Sequence, residues 1–202
     1  MATATEAIVE IEADTTPSAV HALEYPDEQY EVVNDQIVEE PRLGAYEKWV
    51  ATRIVRAIVR FDLDGALGEA YEEGLFILER APRLRRSPDV AFVSRERWPV
   101  DLPAPREAAW DVIPDLAVEV ISPNDLVRDI MDKIDEYFRV GVRTVWVIHP
   151  VHELVYNYDS PTSVRILKRG DTLDGGAVLP GFQVALDDLF GETKRDEPAP
   201  EA

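Results

Sequence analysis

The run Pro114-Asp115-Leu116-Ala117-Val118-Glu119-Val120-Ile121 sets one glutamate among Leu, Val and Ile, a pattern expected of a strand covered on both faces. An ionised carboxylate in such a place is costly unless it is paired, protonated or bound to a cation. Any fold of this chain must therefore bring a proton, a cationic side chain or a metal to Glu119. A second run, Pro88-Asp89-Val90-Ala91-Phe92-Val93, also opens on Pro-Asp, and Lys133 follows on the next expected helix. Two carboxylates on neighbouring strands with an ammonium nearby are the minimum set for metal-assisted cleavage of a phosphodiester.

Alternation along a strand puts Asp115, Ala117, Glu119 and Ile121 on one face and Leu116, Val118 and Val120 on the other. Asp115 and Glu119 point the same way, about 13 Å apart. If Asp89 opens an adjacent strand, its carboxylate approaches Glu119 across the sheet. Ser122-Pro123-Asn124-Asp125 ends the Glu119 strand and offers capping side chains. Val127, Ile130, Ile134, Tyr137 and Phe138 then mark a helix closed by Gly141, and Val145 to Ile148 is a further buried strand. Strand, helix and strand in this order form a crossover unit with parallel neighbours, which makes the chain α/β.

Other segments extend this plan. Tyr30-Glu31-Val32-Val33, Asn34-Asp35 and Gln36-Ile37-Val38 read as a hairpin with a tight two-residue turn. Trp49, Val50, Ile54, Val55, Ile58 and Val59 recur at helical spacing, so residues 45–61 form an amphipathic helix against the sheet. Leu75 to Leu78 is a short strand, and Trp98 to Trp110 a Pro-rich surface loop. Leu154 to Tyr158 and Val164 to Leu167 suggest a closing hairpin, and the Gly/Asp-rich residues 170–181 suggest turns. Residues 1–22 read as a flexible acidic arm, 23–191 as one domain and 192–202 as a flexible tail. No segment has the length and apolarity of a membrane span or export signal, so a cytoplasmic protein is expected.

Charge weighs against a general nucleic-acid binder. The 202 residues carry a net charge of −19, which disfavours a broad basic surface. Residues 1–40 hold eleven Asp/Glu and no Lys or Arg, however, so the excess belongs partly to the arm. Arg83, Arg85 and Arg86, with Arg80, cluster just before Asp89 and are candidates for a local nucleic-acid-binding edge, against the plainer alternative of a solvated charge cluster. The absence of cysteine leaves oxygen and histidine as metal ligands. His149 and His152 flank Pro150 in a weak zinc pattern. Trp49 and Trp146 fall at core positions, which leaves Trp98 and Trp110 for exposure.

Lys133 falls at the margin of its helix's apolar face, where an ammonium reaches a strand-end carboxylate or a phosphate. The plainer alternative is an exposed ion pair with Asp129 or Glu136. For Asp89 and Asp115 the alternative is local bonding of strand-end amides. Glu47, near the start of the first helix, and Asp115 are additional candidates for the site.

In order along the chain, the Asp89 run, the Glu119 run through Asn124, Asp132-Lys133-Ile134-Asp135-Glu136-Tyr137-Phe138-Arg139-Val140-Gly141-Val142, Val145 to Ile148, Gly170-Asp171, Leu179-Pro180-Gly181-Phe182 and Leu186 to Phe190 resemble the Uma-type putative restriction endonucleases of the PD-(D/E)XK nuclease superfamily. The resemblance implies a restriction-endonuclease-like fold, with a central mixed β-sheet flanked by helices, and hydrolysis of DNA by a Mg²⁺- or Mn²⁺-dependent endonuclease. It implies Asp89 and Glu119 as metal ligands and Lys133 as the catalytic lysine, displaced from its usual place two residues after the glutamate, where Ile121 stands. A homodimer fits such an enzyme. Two further expectations are kept: a catalytically silent nuclease-like binding or assembly module with a basic protein partner, and an enzyme that cuts only with such a partner.

Overall fold

The computed structural model describes residues 29–191. The expected arm, residues 1–22, and tail, residues 192–202, lie outside the described residues. The chain opens with the expected hairpin, β1 (Tyr30–Val33) and β2 (Gln36–Glu39). Asn34 and Asp35 between them take φ of 50° and 66°, the left-handed pair that a two-residue turn between twisted strands demands. Helix α1 (Ala45–Phe61) follows, then β3 (Gly68–Glu72), β4 (Phe76–Arg80), β5 (Arg83–Arg86), β6 (Val90–Ser94) and β7 (Leu116–Val120). Helix α2 (Val127–Val140) leads to β8 (Thr144–His149), β9 (Leu154–Ser160), β10 (Ser163–Leu167), β11 (Thr172–Asp174), β12 (Gln183–Ala185) and α3 (Leu186–Phe190).

The central sheet has six strands in the order β10-β9-β8-β7-β6-β3. Strands β7 and β8 are parallel and joined through α2, as the crossover unit requires, while the other neighbours are antiparallel, so the sheet is mixed. A second sheet, β2-β1-β5-β4, holds the first hairpin, and β11 with β12 makes a third.

Each face of the central sheet has its own core. On one face Val118, Val120, Phe92, Trp146 and Ile148 pack under α1 residues Val50, Ile54 and Ile58 and under Phe182, Leu186 and Phe190 near the chain's end. On the other, Ala117, Ala91, Val93, Val145 and Val147 pack under α2 residues Ile134 and Tyr137 and under β4 and β5 residues Phe76, Leu78 and Leu84. Alternation sends Glu119 to this second face, beside Ala117. The small sheet and α2 therefore form a roof over it.

Several local expectations are corrected. The 122–125 segment does not cap α2 with a side chain: Leu126 is its N-cap, and Asp125 instead accepts the Ser122 amide at 2.7 Å in a turn ahead of the helix. The C-terminus does close on Gly141, at φ 102°, with the Val142 amide donating to the Tyr137 carbonyl at 2.9 Å. Trp49 is 40% exposed and Trp110 only 8%, the reverse of the expected arrangement. The Pro-rich loop folds inward at Trp110, whose backbone bridges Leu75 and Ile77 while its ring contacts Phe76, Tyr71 and Trp98. Strand β3 was unforeseen because Gly-Glu-Ala-Tyr-Glu lacks an apolar run; it is an edge strand held by antiparallel pairing to β6.

Gly68 permits that pairing. A Cβ there would stand 2.3 Å from the Val93 carbonyl oxygen and 2.9 Å from the Ser94 Cα, both backbone atoms. Gly68→Ala is expected to destabilise the protein by about 2 kcal/mol, as overpacking against a fixed neighbour does. Urea denaturation followed by circular dichroism measures it; an unchanged midpoint contradicts the close approach.

Candidate active site

Three elements converge over the carboxyl end of β7. The β6–β7 register pairs Val90 with Val118, and continuing it by one residue sets Asp89 opposite Glu119. Asp89 Oδ2 accepts the Val120 amide at 2.6 Å, which pins this carboxylate to the strand that carries Glu119. Its Oδ1 accepts no hydrogen bond among the described residues. From α2, Lys133 Nζ reaches Glu119 Oε2 at 3.1 Å, and Tyr137, one turn on, donates its hydroxyl to Glu119 Oε1 at 2.6 Å. Lys133 and Tyr137 lie four residues apart on one helix face, so a single helix placement serves both oxygens. Lys133 is buried. It pairs with neither Asp129 nor Glu136, which excludes the plainer sequence alternative.

The hairpin supplies two carboxylates that the sequence did not single out. Lys133 Nζ lies 2.6 Å from Glu40 Oε1, just past β2, and 3.5 Å from Glu31 Oε1 on β1. Glu31 Oε1 also accepts the Ser87 amide at 2.9 Å, and Arg86 pairs with Glu31 and with Glu136. Alternation hinted at Glu31, an acid flanked by apolar Tyr30 and Val32, but its partners lie 55 and more positions away.

Four carboxylates, Glu31, Glu40, Asp89 and Glu119, thus face two cations, Lys133 and Arg86. Burial and then the Glu119 charge push Asp89 up to about 8. Burial and the Glu31 charge do the same for Glu40, also to about 8. Burial raises Glu119, with Lys133 opposing. For Glu31 the nearby Lys133 and Arg86 outweigh burial and hold the carboxyl below its usual value. Lys133 itself is held well above its ordinary range because three carboxylates overcome its desolvation.

This donor set suits a hard divalent cation. It is all oxygen, its four carboxyls outnumber the two cations, and Asp89 keeps one oxygen uncommitted. Among the described residues no three acidic or histidine side chains are arranged as a ready-made cage. A Mg²⁺ or Mn²⁺ held by the Asp89 and Glu119 pair would keep several waters, which is usual for magnesium.

Other sequence candidates lie elsewhere. Asp115, at the opposite end of β7, is fully buried; it accepts the Ser94 amide at 2.9 Å and pairs with Arg97 at 2.9 Å and Arg143 at 3.2 Å, so it clasps the strand's start and takes no part in the site. Glu47, in the first turn of α1, folds back toward Gly44 and makes no hydrogen bond or ion pair with Asp89, Glu119 or Lys133. There it complements the positive end of the helix dipole. Arg83, Arg85 and Arg86 form strand β5 rather than an exposed basic edge: Arg83 pairs with Asp35 at 2.8 Å, Arg85 is buried, and Arg86 is committed to Glu31 and Glu136. The rings of His149 and His152 stand 4.5 Å apart, and burial lowers the His149 pKa.

The family model of Uma2, described as putative restriction endonuclease, matches residues 17–187. The chain belongs to the Uma2 family. A crystal structure of a putative nuclease belonging to DUF820 from Anabaena variabilis aligns with a TM-score of 0.73 at 16% identity, over 86% of this chain and 96% of that one. At that identity the likeness establishes the fold, in agreement with the restriction-endonuclease-like expectation. No curated protein matches the chain. Among the described residues no helix is long and apolar enough to cross a membrane.

Two outcomes follow for this Uma2 member. The unfolded Asp89 carboxyl titrates near its ordinary 3.8 and the folded one at about 8, so its contribution to stability is full below pH 4 and is lost as pH rises toward 8. Asn does not titrate. The melting temperature of Asp89→Asn in EDTA, relative to wild type, should therefore rise by several degrees between about pH 5 and pH 8; a constant difference contradicts the assignment. Arg86→Met leaves Glu31 buried with one cation fewer and is expected to cost about 3 kcal/mol in chemical denaturation at pH 7.

Proposed function

We propose that this Uma2 protein is a metal-dependent endonuclease that hydrolyses phosphodiester bonds of DNA. The observation carrying the reading is the meeting of Lys133 with Glu119 at 3.1 Å at the strand end where Asp89 binds the Val120 amide. Asp89 and Glu119 would hold Mg²⁺ or Mn²⁺. The chemistry such an ion would supply there is polarisation of the phosphate and a lowered pKa of bound water.

The chain's own residues supply the remainder. Tyr137 and Lys133 fix the two Glu119 oxygens, so the carboxylate meets a ligand with its orientation already set. The Lys133 ammonium stabilises the negative charge that grows on the phosphoryl oxygens in the transition state. Glu40 and Glu31 act as positioning residues by holding Nζ in place. A cytoplasmic location and a homodimer, in which two sites address two strands, accord with this activity.

Purified protein incubated with Mn²⁺ and plasmid or linear DNA tests the reading. Wild type should cut. Glu119→Gln and Asp89→Asn should lose activity by at least about 100-fold, and Lys133→Ala by a similar factor while still binding Mn²⁺ in calorimetry. Equal cleavage by wild type and Glu119→Gln rejects the site.

A second reading is a nuclease-like module that binds a basic protein partner without cutting, or that cuts only with that partner. The net charge of −19 and the neutralisation of Lys133 by three carboxylates favour it. Calorimetry separates the two, because a non-catalytic module need show no Mn²⁺ heat that disappears in Asp89→Asn.

A further inference from the structure

The outer face of α1 departs from the charge pattern of the rest of the chain. Tyr46, Trp49, Arg53, Arg56 and Arg60 recur at three- and four-residue spacing, which lines them up along one side of the helix. Tyr46 and Trp49 are 41% and 40% exposed, and their rings stack at 5.6 Å with 17° between planes. Beside them lies a shallow, mostly apolar hollow lined by Ala45, Tyr46, Trp49, Phe190 and Gly191. Arg53 lies over the Trp49 ring, 4.6 Å from its centroid, and donates to the Asp188 carbonyl. Arg56 and Arg60 are exposed.

None of these three arginines pairs with a carboxylate among the described residues, and neither do Arg42, Arg85 and Arg106, whereas Arg80, Arg83, Arg86, Arg95, Arg97, Arg128, Arg139, Arg143, Arg165 and Arg169 do. Only Arg53, Arg56 and Arg60 of that unpaired group fall in a row on one helix face, in a chain with 40 acids and 21 bases. Helix α1 covers the face of the central sheet opposite Glu119, and its first turns are tied to the strand end that carries Asp89. Lys48, in the first turns of α1, binds Glu73 at 2.6 Å, and the Glu73 amide donates to the Asp89 carbonyl at 3.2 Å. From Tyr46 to Arg60 the helix advances about 21 Å away from that point.

We infer that the outer face of α1 is a track for a single strand of nucleic acid, with a base stacking on the exposed ring of Tyr46, which backs onto Trp49, and phosphates meeting Arg56 and Arg60. The inference rests on the nuclease reading for its substrate class, and it adds where the strand runs. Aromatic faces accept any unpaired base, and arginines accept phosphates without regard to sequence. A duplex, whose bases are stacked on one another, gains nothing from the two rings. The track also answers the charge objection, because binding depends on the local row and not on the net charge.

Fluorescence anisotropy tests it, using a labelled oligothymidylate of about 20 nucleotides, longer than one strand-binding site, in EDTA so that no bond is cut. Arg56→Ala/Arg60→Ala, which removes two exposed and unpaired side chains, should weaken binding about tenfold and reduce the slope of log affinity against log salt by about 1.4. Titration should quench tryptophan emission in wild type and not in Trp49→Phe, a variant that keeps an aromatic side chain. Glu119→Gln should bind the strand as wild type does. Absence of cleavage by wild type with Mn²⁺, with strand binding intact, would count against the nuclease reading alone. Affinity and salt slope unchanged in the double variant would overturn the track, as would wild-type binding of polyglutamate as tight as that of the oligonucleotide, which would make the row a site for acidic protein, including the chain's own acidic residues 1–28.

Discussion

The ammonium of Lys133 is the point on which three separate pieces of chain close. It is buried beneath the roof formed by α2 and the small sheet, and it touches Glu119 from the central sheet, Glu40 from the end of the hairpin and Glu31 from its first strand. Burying an ammonium costs several kcal/mol unless it is paired and hydrogen-bonded, and here Glu40 and Glu119 accept hydrogen bonds from it while Glu31 stands 3.5 Å away. A rotation of α2 by one residue, or a slip of the hairpin, would strand at least two charges without partners. The same contact therefore selects one docking of α2 and one register of the hairpin, and the site's geometry comes from that selection.

Strand β7 shows how one run of residues carries two unlike carboxylates. Asp115 at its start is ion-paired with Arg97 and Arg143 and accepts the Ser94 amide, while Glu119 at its end shares one lysine with two other acids. Two arginines around one acid give a closed structural clasp. Three acids around one lysine leave surplus charge, which Asp89 beside them increases. The difference lies in the neighbours, since the two side chains share a face and a chemistry.

What was legible in the sequence followed from local rules. Glu119 drew attention because its neighbours are all apolar, the Asn34-Asp35 turn because it needs positive φ, and the β7-α2-β8 unit because periodicity changes from two to 3.6 and back. Glu31, Glu40 and Arg86 were not legible as site residues, because what identifies them is contact with residues 50 or more positions away. Trp49 and Trp110 were exchanged for a related reason. Helical spacing alone does not say how far around α1 the sheet reaches, and a Pro-rich loop gives no sign that one ring turns inward onto Phe76. Arg83 to Arg86 read as a basic surface because a cluster of like charges is ordinarily solvated; their acids arrive from β1, the 34–35 turn and α2.

The separation in sequence between the hairpin and α2 also sets an order of events during synthesis. Glu40 and Lys133 are 93 positions apart, so a ribosome adding about 5–20 residues per second delivers the lysine roughly 5–20 s after the hairpin. Until then Glu31 and Glu40 have only water and Arg86 for company, and Glu119 has neither Lys133 nor Tyr137 to orient it. The carboxylates come together only once α2 has left the exit tunnel and docked. A nascent polypeptide thus holds no assembled centre beside the nucleic acids that surround it.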